Sequence, residues 1–135
     1  TSMTAIRTAC AIAKTNDATL ILVHAPHPET VAFAMGAVAG YHMVTTMPSI
    51  EEVADAAEKT LEKGRQAAVE AGYPATKSVV RRGDPGNEIL AVAKDEKADL
   101  IVTGRRGLGN LAGLVMGSTS QTISHHATCA VLTVV

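Results

Sequence analysis

A chain of 135 residues, with 47% hydrophobic and 19% charged side chains, carries enough apolar mass for one buried core and too little length for two domains. Its formal net charge of -1 and aromatic content of 2% argue against a nucleic-acid binder, which needs a basic surface and rings for stacking bases. No apolar run reaches the length of a bilayer span, so no membrane partner is expected. Cys10 and Cys129 have no motif spacing and read as small buried residues of a reducing compartment, so the expected location is cytoplasmic.

Along the chain, residues Ser2 to Lys14 read as a helix with Ile6, Ala9, Cys10 and Ala13 on one face and Ser2 or Thr4 at its start. Thr19 to Ala25 (TLILVHA) is a continuous apolar run, the pattern of a strand covered on both faces, and Pro26 and Pro28 stop it. Pro26 to Pro48 has a poor pattern, with room for a short helix around Glu29 to Met35. Ser49 to Ala71 reads as a long amphipathic helix, opened by a capping box of Ser49 and Glu52 and ended by Gly72 and Pro74. Asp55 and Lys59 stand four apart on its exposed side. Lys77 to Arg82 reads as a short strand of edge character. Asp84 then caps a helix with Pro85 at its first position and Ile89, Leu90 and Ala93 on its buried face. This explains the triplet Arg82-Gly83-Asp84 without cell adhesion.

Asp99 to Thr103 is a second buried strand, Ser118 to His126 a short helix, and Cys129 to Val135 (CAVLTVV) a last strand. Alternating helices and strands predict an α/β domain with a mostly parallel sheet and right-handed crossovers. Ligands in such sheets sit beyond the carboxyl ends of the strands, where Ala25, Gly83 and Gly104 fall.

The segment between the last two strands carries the chemistry. Gly104, Gly107 and Gly117 punctuate it, and Ser118-Thr119-Ser120 follow at a predicted helix start. Glycines let backbone N–H groups approach a ligand, and a helix N-terminus offers unpaired donors and a positive dipole end, so the pattern suits a phosphate. A Walker A loop fails here, because Asn110-Leu111 stand where Lys and a hydroxyl are needed after Gly104 and Gly109. The dinucleotide pattern through Gly107, Gly109 and Ala112 does not open directly from the strand and lacks the later acid that grips a ribose. His24, His27 and Glu29 match no established metal spacing, and the adjacent His125 and His126 point to different sides of a helix. Asp84 and Glu88 read as a cap and a first-turn acid, and no general base for hydrolysis is evident.

The spacing Gly104, two residues, Gly107, nine residues, Gly117-Ser118 resembles the G-x2-G-x9-G-[ST] signature of the ATP-binding subgroup of the universal stress protein family. The resemblance extends to VHA after the first strand, RGDPGNEIL, ADLIVTGRRG and HHATCAVLTVV. It implies an open parallel sheet with helices on both faces in strand order 3-2-1-4-5, and a single nucleotide-binding domain over residues 1–135. It also implies ATP as ligand, with or without Mg2+. Carried over by position, Ala25 meets the adenine, and Thr103, Gly104 and Arg105 line the ribose and phosphates. Gly107, Gly117, Ser118 and Thr119 hold the phosphates, with Ser120 close by.

The family begins with a strand ending in an Asp-Gly-Ser-like turn, whereas this sequence begins in the following helix. Four strands are countable where the fold needs five, and the expectation is an upstream segment supplying the central one. The family resemblance further implies a homodimer through Ala130 to Val135, whose apolar edge needs cover. The expected role is regulatory or sensing with little turnover. Its rivals are a weak nucleotide hydrolase or phosphotransferase on the same fold, and an interaction protein that binds no nucleotide.

Overall fold

A computed structural model describes residues 2–27, 48–75, 77–106 and 116–135. The elements run α1 (Ser2–Asn16), β1 (Ile21–His24), α2 (Ile50–Glu70), β2 (Lys77–Val80), α3 (Pro85–Asp95), β3 (Leu100–Gly104), α4 (Ser118–His126) and β4 (Ala130–Val134). The expected alternation of helix and strand is present throughout. The short helix expected around Glu29 to Met35 lies outside the described residues.

Local chemistry explains most boundaries. Helix α1 runs to Asn16, two residues beyond expectation, because Thr15 Oγ1 and Asn16 Nδ2 donate to the Ala11 and Ile12 carbonyls at 2.9 and 2.8 Å. Asp17 then turns left-handed at φ 50 and ends it. At the start of α2, Ser49 Oγ accepts from the Glu52 amide at 3.1 Å and Glu52 Oε1 accepts from the Ser49 amide at 3.3 Å, the reciprocal box the sequence predicts. Gly72, at φ 77, closes that helix. The salt bridges on the exposed side of α2 join Arg65 to Glu58 and Glu62. Asp84 caps α3 by accepting from the Asn87 amide at 3.0 Å, with Pro85 in the first turn.

The core between α1 and α2 is built from small residues. Cys10, Ala13, Leu20 and Ala68 are buried together, with Ile6 and Tyr73 against them. Tyr73 donates its hydroxyl to the Ala18 carbonyl at 2.7 Å, fixing the turn that leads into β1. Both cysteines are free thiols; Cys10 is buried as expected, whereas Cys129, just before β4, is only half-buried.

The strands form two parallel pairs, β1 with β2 and β3 with β4. The expected single sheet is therefore divided among the described residues, with β2 an edge strand as predicted. Helix α1 packs against α2 and also reaches β3 and β4, while α3 packs against α4 and also reaches β1. Each helix pair thus bridges the two strand pairs.

Hydrogen-bond parity shows which edges are unused. The Leu20 and His24 carbonyls accept from Lys77 and Arg81, so the even residues of β1 face β2. In a parallel ladder, the N–H and C=O of one residue point to the same side, so Ile21 and Val23 face the other edge. In β3, Asp99 C=O and Arg105 N–H bond to Ala130 and Val134 of β4, which turns Leu100, Val102 and Gly104 away from β4.

Candidate functional site

The carboxyl end of β3 and the amino end of α4 are tied together by two hydrogen bonds, with two more at the end of β3 beside them. Arg105 N–H donates to the Val134 carbonyl at 2.7 Å, holding the end of β3 to β4. The Arg105 carbonyl accepts from Gly117 N–H at 2.9 Å. Ser120 Oγ donates to the Gly104 carbonyl at 2.6 Å, and Thr103 Oγ1 reaches the same oxygen at 3.3 Å. Thr103, Gly104, Arg105, Gly117 and Ser120, all named from the sequence, are thereby one cluster at the sheet edge where ligands bind in α/β folds.

Helix α4 opens with a bare N-terminus. Its N-cap is Gly117, which has no side chain to bond the first-turn amides. The first bond of the helix runs from Gln121 N–H to the Gly117 carbonyl at 2.9 Å, so the amides of Ser118, Thr119 and Ser120 have no partner within the helix. Ser118 is exposed, Thr119 half-buried and Ser120 buried. Ile123, fully buried on the same inward face as Ser120, anchors the helix in the core.

Positive charge is at hand. Arg105 is half-buried, and its Nε is buried without a hydrogen-bond partner among the described residues, while Arg106 is exposed. The first-turn amides of α4, without partners in the helix and joined through Gly117 to the Arg105 carbonyl, are donors suited to an anion with several oxygens. Gly107 lies outside the described residues. Ala25 is buried at the carboxyl end of β1, carried by the other strand pair. Just before it, burial holds the His24 imidazole below its ordinary pKa. Among the described residues, no group of three or more His, Cys, Asp or Glu is arranged to hold a metal ion. No helix among them is long and apolar enough to cross a membrane.

A family description now fits this geometry: a model of the universal stress protein family matches residues 1–135. The chain belongs to the universal stress protein family. Universal stress protein Rv1636 of Mycobacterium tuberculosis is 32% identical over 139 residues, covering 98% of this chain and 87% of the relative. A universal stress protein of Thermus aquaticus is 40% identical over 84 residues, 59% of this chain and 61% of its own length. Other curated relatives are spanned less fully, 51% of YxiE of Bacillus subtilis and 36% of Sll1388 of Synechocystis.

Solved structures agree on the fold. UspA of Lactobacillus plantarum superposes with a TM-score of 0.72 at 22% identity, covering 98% of this chain and 88% of that one. The universal stress protein of Archaeoglobus fulgidus in complex with dAMP gives 0.66 at 20% identity, over 97% and 85%. A universal stress protein in complex with cAMP gives 0.64 at 24% identity, over 98% and 86%.

Three features of the site escape sequence reading. The Arg105 peptide serves both β4 and α4. Ser120, grouped by sequence with Ser118 and Thr119, is turned inward. Gly86, in the first turn of α3, lies so close to α4 that an added Cβ would stand 2.7 Å from Thr122 Cγ2. Only the last left a signal, a glycine inside a helix that capping does not require.

Proposed function

We propose that this universal stress protein binds ATP at the amino end of α4 and works as a regulatory or sensing module with little turnover. The observation that carries the reading is the set of three first-turn amides of α4 with no partner among the described residues, tied through Gly117 to the Arg105 carbonyl at the carboxyl end of β3. The G-x2-G-x9-G-[ST] spacing that ends on Gly117-Ser118 supports it, as do the dAMP and cAMP complexes of proteins with the same fold. Thr103, Gly104, Arg105, Gly107, Gly117, Ser118 and Thr119 take the ribose and phosphates, and Ala25 meets the base. Of these residues, Ser118 and Thr119 carry the hydroxyl oxygens that would be open to a Mg2+ ion bound with ATP.

The same proposal includes the strand order 3-2-1-4-5 in a single domain. The unused edges of β1 and β3, at Ile21, Val23, Leu100 and Val102, are what a parallel strand between them would pair with. The outer edge of β4, with Leu132 and Val135 exposed, is the surface proposed for a homodimer through Ala130 to Val135. The cell compartment proposed is the cytoplasm.

Heating purified protein and identifying the released nucleotide tests the binding reading, with an adenine nucleotide expected. An interaction protein without nucleotide releases none. Following labelled ATP for hours with Mg2+ separates a binder, which returns it intact, from a hydrolase or phosphotransferase.

A further inference from the structure

The family resemblance gives Ser118 and Thr119 to the phosphates, with Ser120 close by. Their surroundings separate them. Ser120 is 4% exposed, and its Oγ lies 2.6 Å from the Gly104 carbonyl. That carbonyl belongs to a residue turned away from β4, so among the described residues it has no ladder partner. A serine hydroxyl has one hydrogen to donate. With that hydrogen on Gly104, what Ser120 Oγ offers outward is lone pairs, which repel a phosphate oxygen. Ser118 is exposed and Thr119 half-buried, and among the described residues neither hydroxyl has a protein partner.

We infer that Ser120 is a positioning residue that latches the end of β3 to the first turn of α4, and that the hydroxyl donors to phosphate are Ser118 and Thr119 alone. This inference rests on the proposed phosphate site. Two bonds hold the junction in register, Gly117 N–H to Arg105 and Ser120 Oγ to Gly104, one at each end of the first turn. Together they fix where the Ser118 and Thr119 amides point. Moving Ser120 onto phosphate would leave the half-buried Gly104 peptide without its short hydrogen bond, a cost comparable with the bond gained.

The test follows the carbonyl carbon of Gly104 by NMR in the full chain while ATP is added, in the wild type, Ser120→Ala and Thr119→Ala. In the wild type, ATP is expected to move the amides of Ser118 and Thr119 and leave the Gly104 carbonyl in place. Ser120→Ala is expected to move that carbonyl without nucleotide and to weaken ATP binding about fivefold, the scale of one hydrogen bond. Thr119→Ala is expected to weaken ATP binding with the Gly104 carbonyl unmoved. A wild-type Gly104 carbonyl that shifts on ATP addition overturns the inference, as does a Ser120→Ala variant that binds ATP like the wild type. Should Ser120→Ala not fold, the wild-type titration alone decides. A wild type that binds no ATP overturns the nucleotide reading instead, and the latch is then judged by the Gly104 shift in Ser120→Ala.

Discussion

The Gly117 amide donates to the Arg105 carbonyl at 2.9 Å, which brings the end of β3 and the start of α4 to one point. Gly117 makes that bond at φ -71 and ψ 153, a conformation open to any residue. The backbone therefore does not require glycine here, and a ligand that comes close to the amides would. Gly117→Ala is expected to cost about 1 kcal/mol of stability or less, since alanine is a poorer N-cap. It is expected to weaken ATP binding about tenfold or more, equivalent to at least 1.4 kcal/mol. Thermal melts and calorimetric titration of the same variant check both halves. Unchanged affinity contradicts a close approach at Gly117.

Gly86 joins the two helices on the ligand side of the fold. A methyl group there would stand 2.7 and 2.8 Å from Thr122 Cγ2 and Cβ, inside any normal contact. Gly86→Ala is expected to destabilise the protein by about 1–3 kcal/mol, the cost of overpacking, despite alanine's better helix propensity. Denaturant midpoints measure this. A variant as stable as the wild type would show that α3 and α4 are not in contact at this point.

What sequence reveals and what it hides divide along chain separation. The Ser49–Glu52 box, the Asp84–Pro85 helix start and the Ser118–His126 helix are written in neighbouring residues, and their chemistry is the same before and after folding. The alternation of apolar strands and helices likewise declares the parallel α/β class, because both faces of such strands need cover. Ser120 with Gly104, 16 residues apart, and Gly86 with Thr122 meet only through tertiary packing, which no local pattern encodes. The three hydroxyls at the start of α4 stand side by side in sequence, and burial with the Ser120–Gly104 bond sets Ser120 apart from the other two. Counting strands suggests a divided sheet, but only the hydrogen-bond parity names the residues on its unused edges.

His24 couples stability to pH. Burial lowers its folded-state pKa, whereas in the unfolded chain it takes up a proton near a pH of about 6.5. Below that pH the unfolded state binds more protons, so the contribution of His24 is present above about 6.5 and is lost as pH falls toward the folded-state value. Melting temperatures are expected to fall with acidification in the wild type, and less steeply in His24→Gln. Parallel curves for the two proteins would contradict an imidazole kept neutral by its half-buried position.

The two thiols are expected to react unequally. Cys10 is 1% exposed, and burial pushes its pKa up, which keeps it in the unreactive thiol form. Cys129 is half-buried in front of β4. Alkylation of the native protein followed by peptide mass spectrometry is expected to show Cys129 modified first and Cys10 modified only on unfolding. Equal rates would place Cys10 outside the α1–α2 core.

The central claim is that the bare amino end of α4 beside Arg105 holds the phosphates of ATP. Calorimetric titration of nucleotide-free protein with ATP and Mg2+ measures it most directly. One ATP bound per chain, with affinity reduced in Arg105→Ala, is the predicted result. A titration with no heat of binding, reproduced by equilibrium dialysis with labelled ATP, would contradict it.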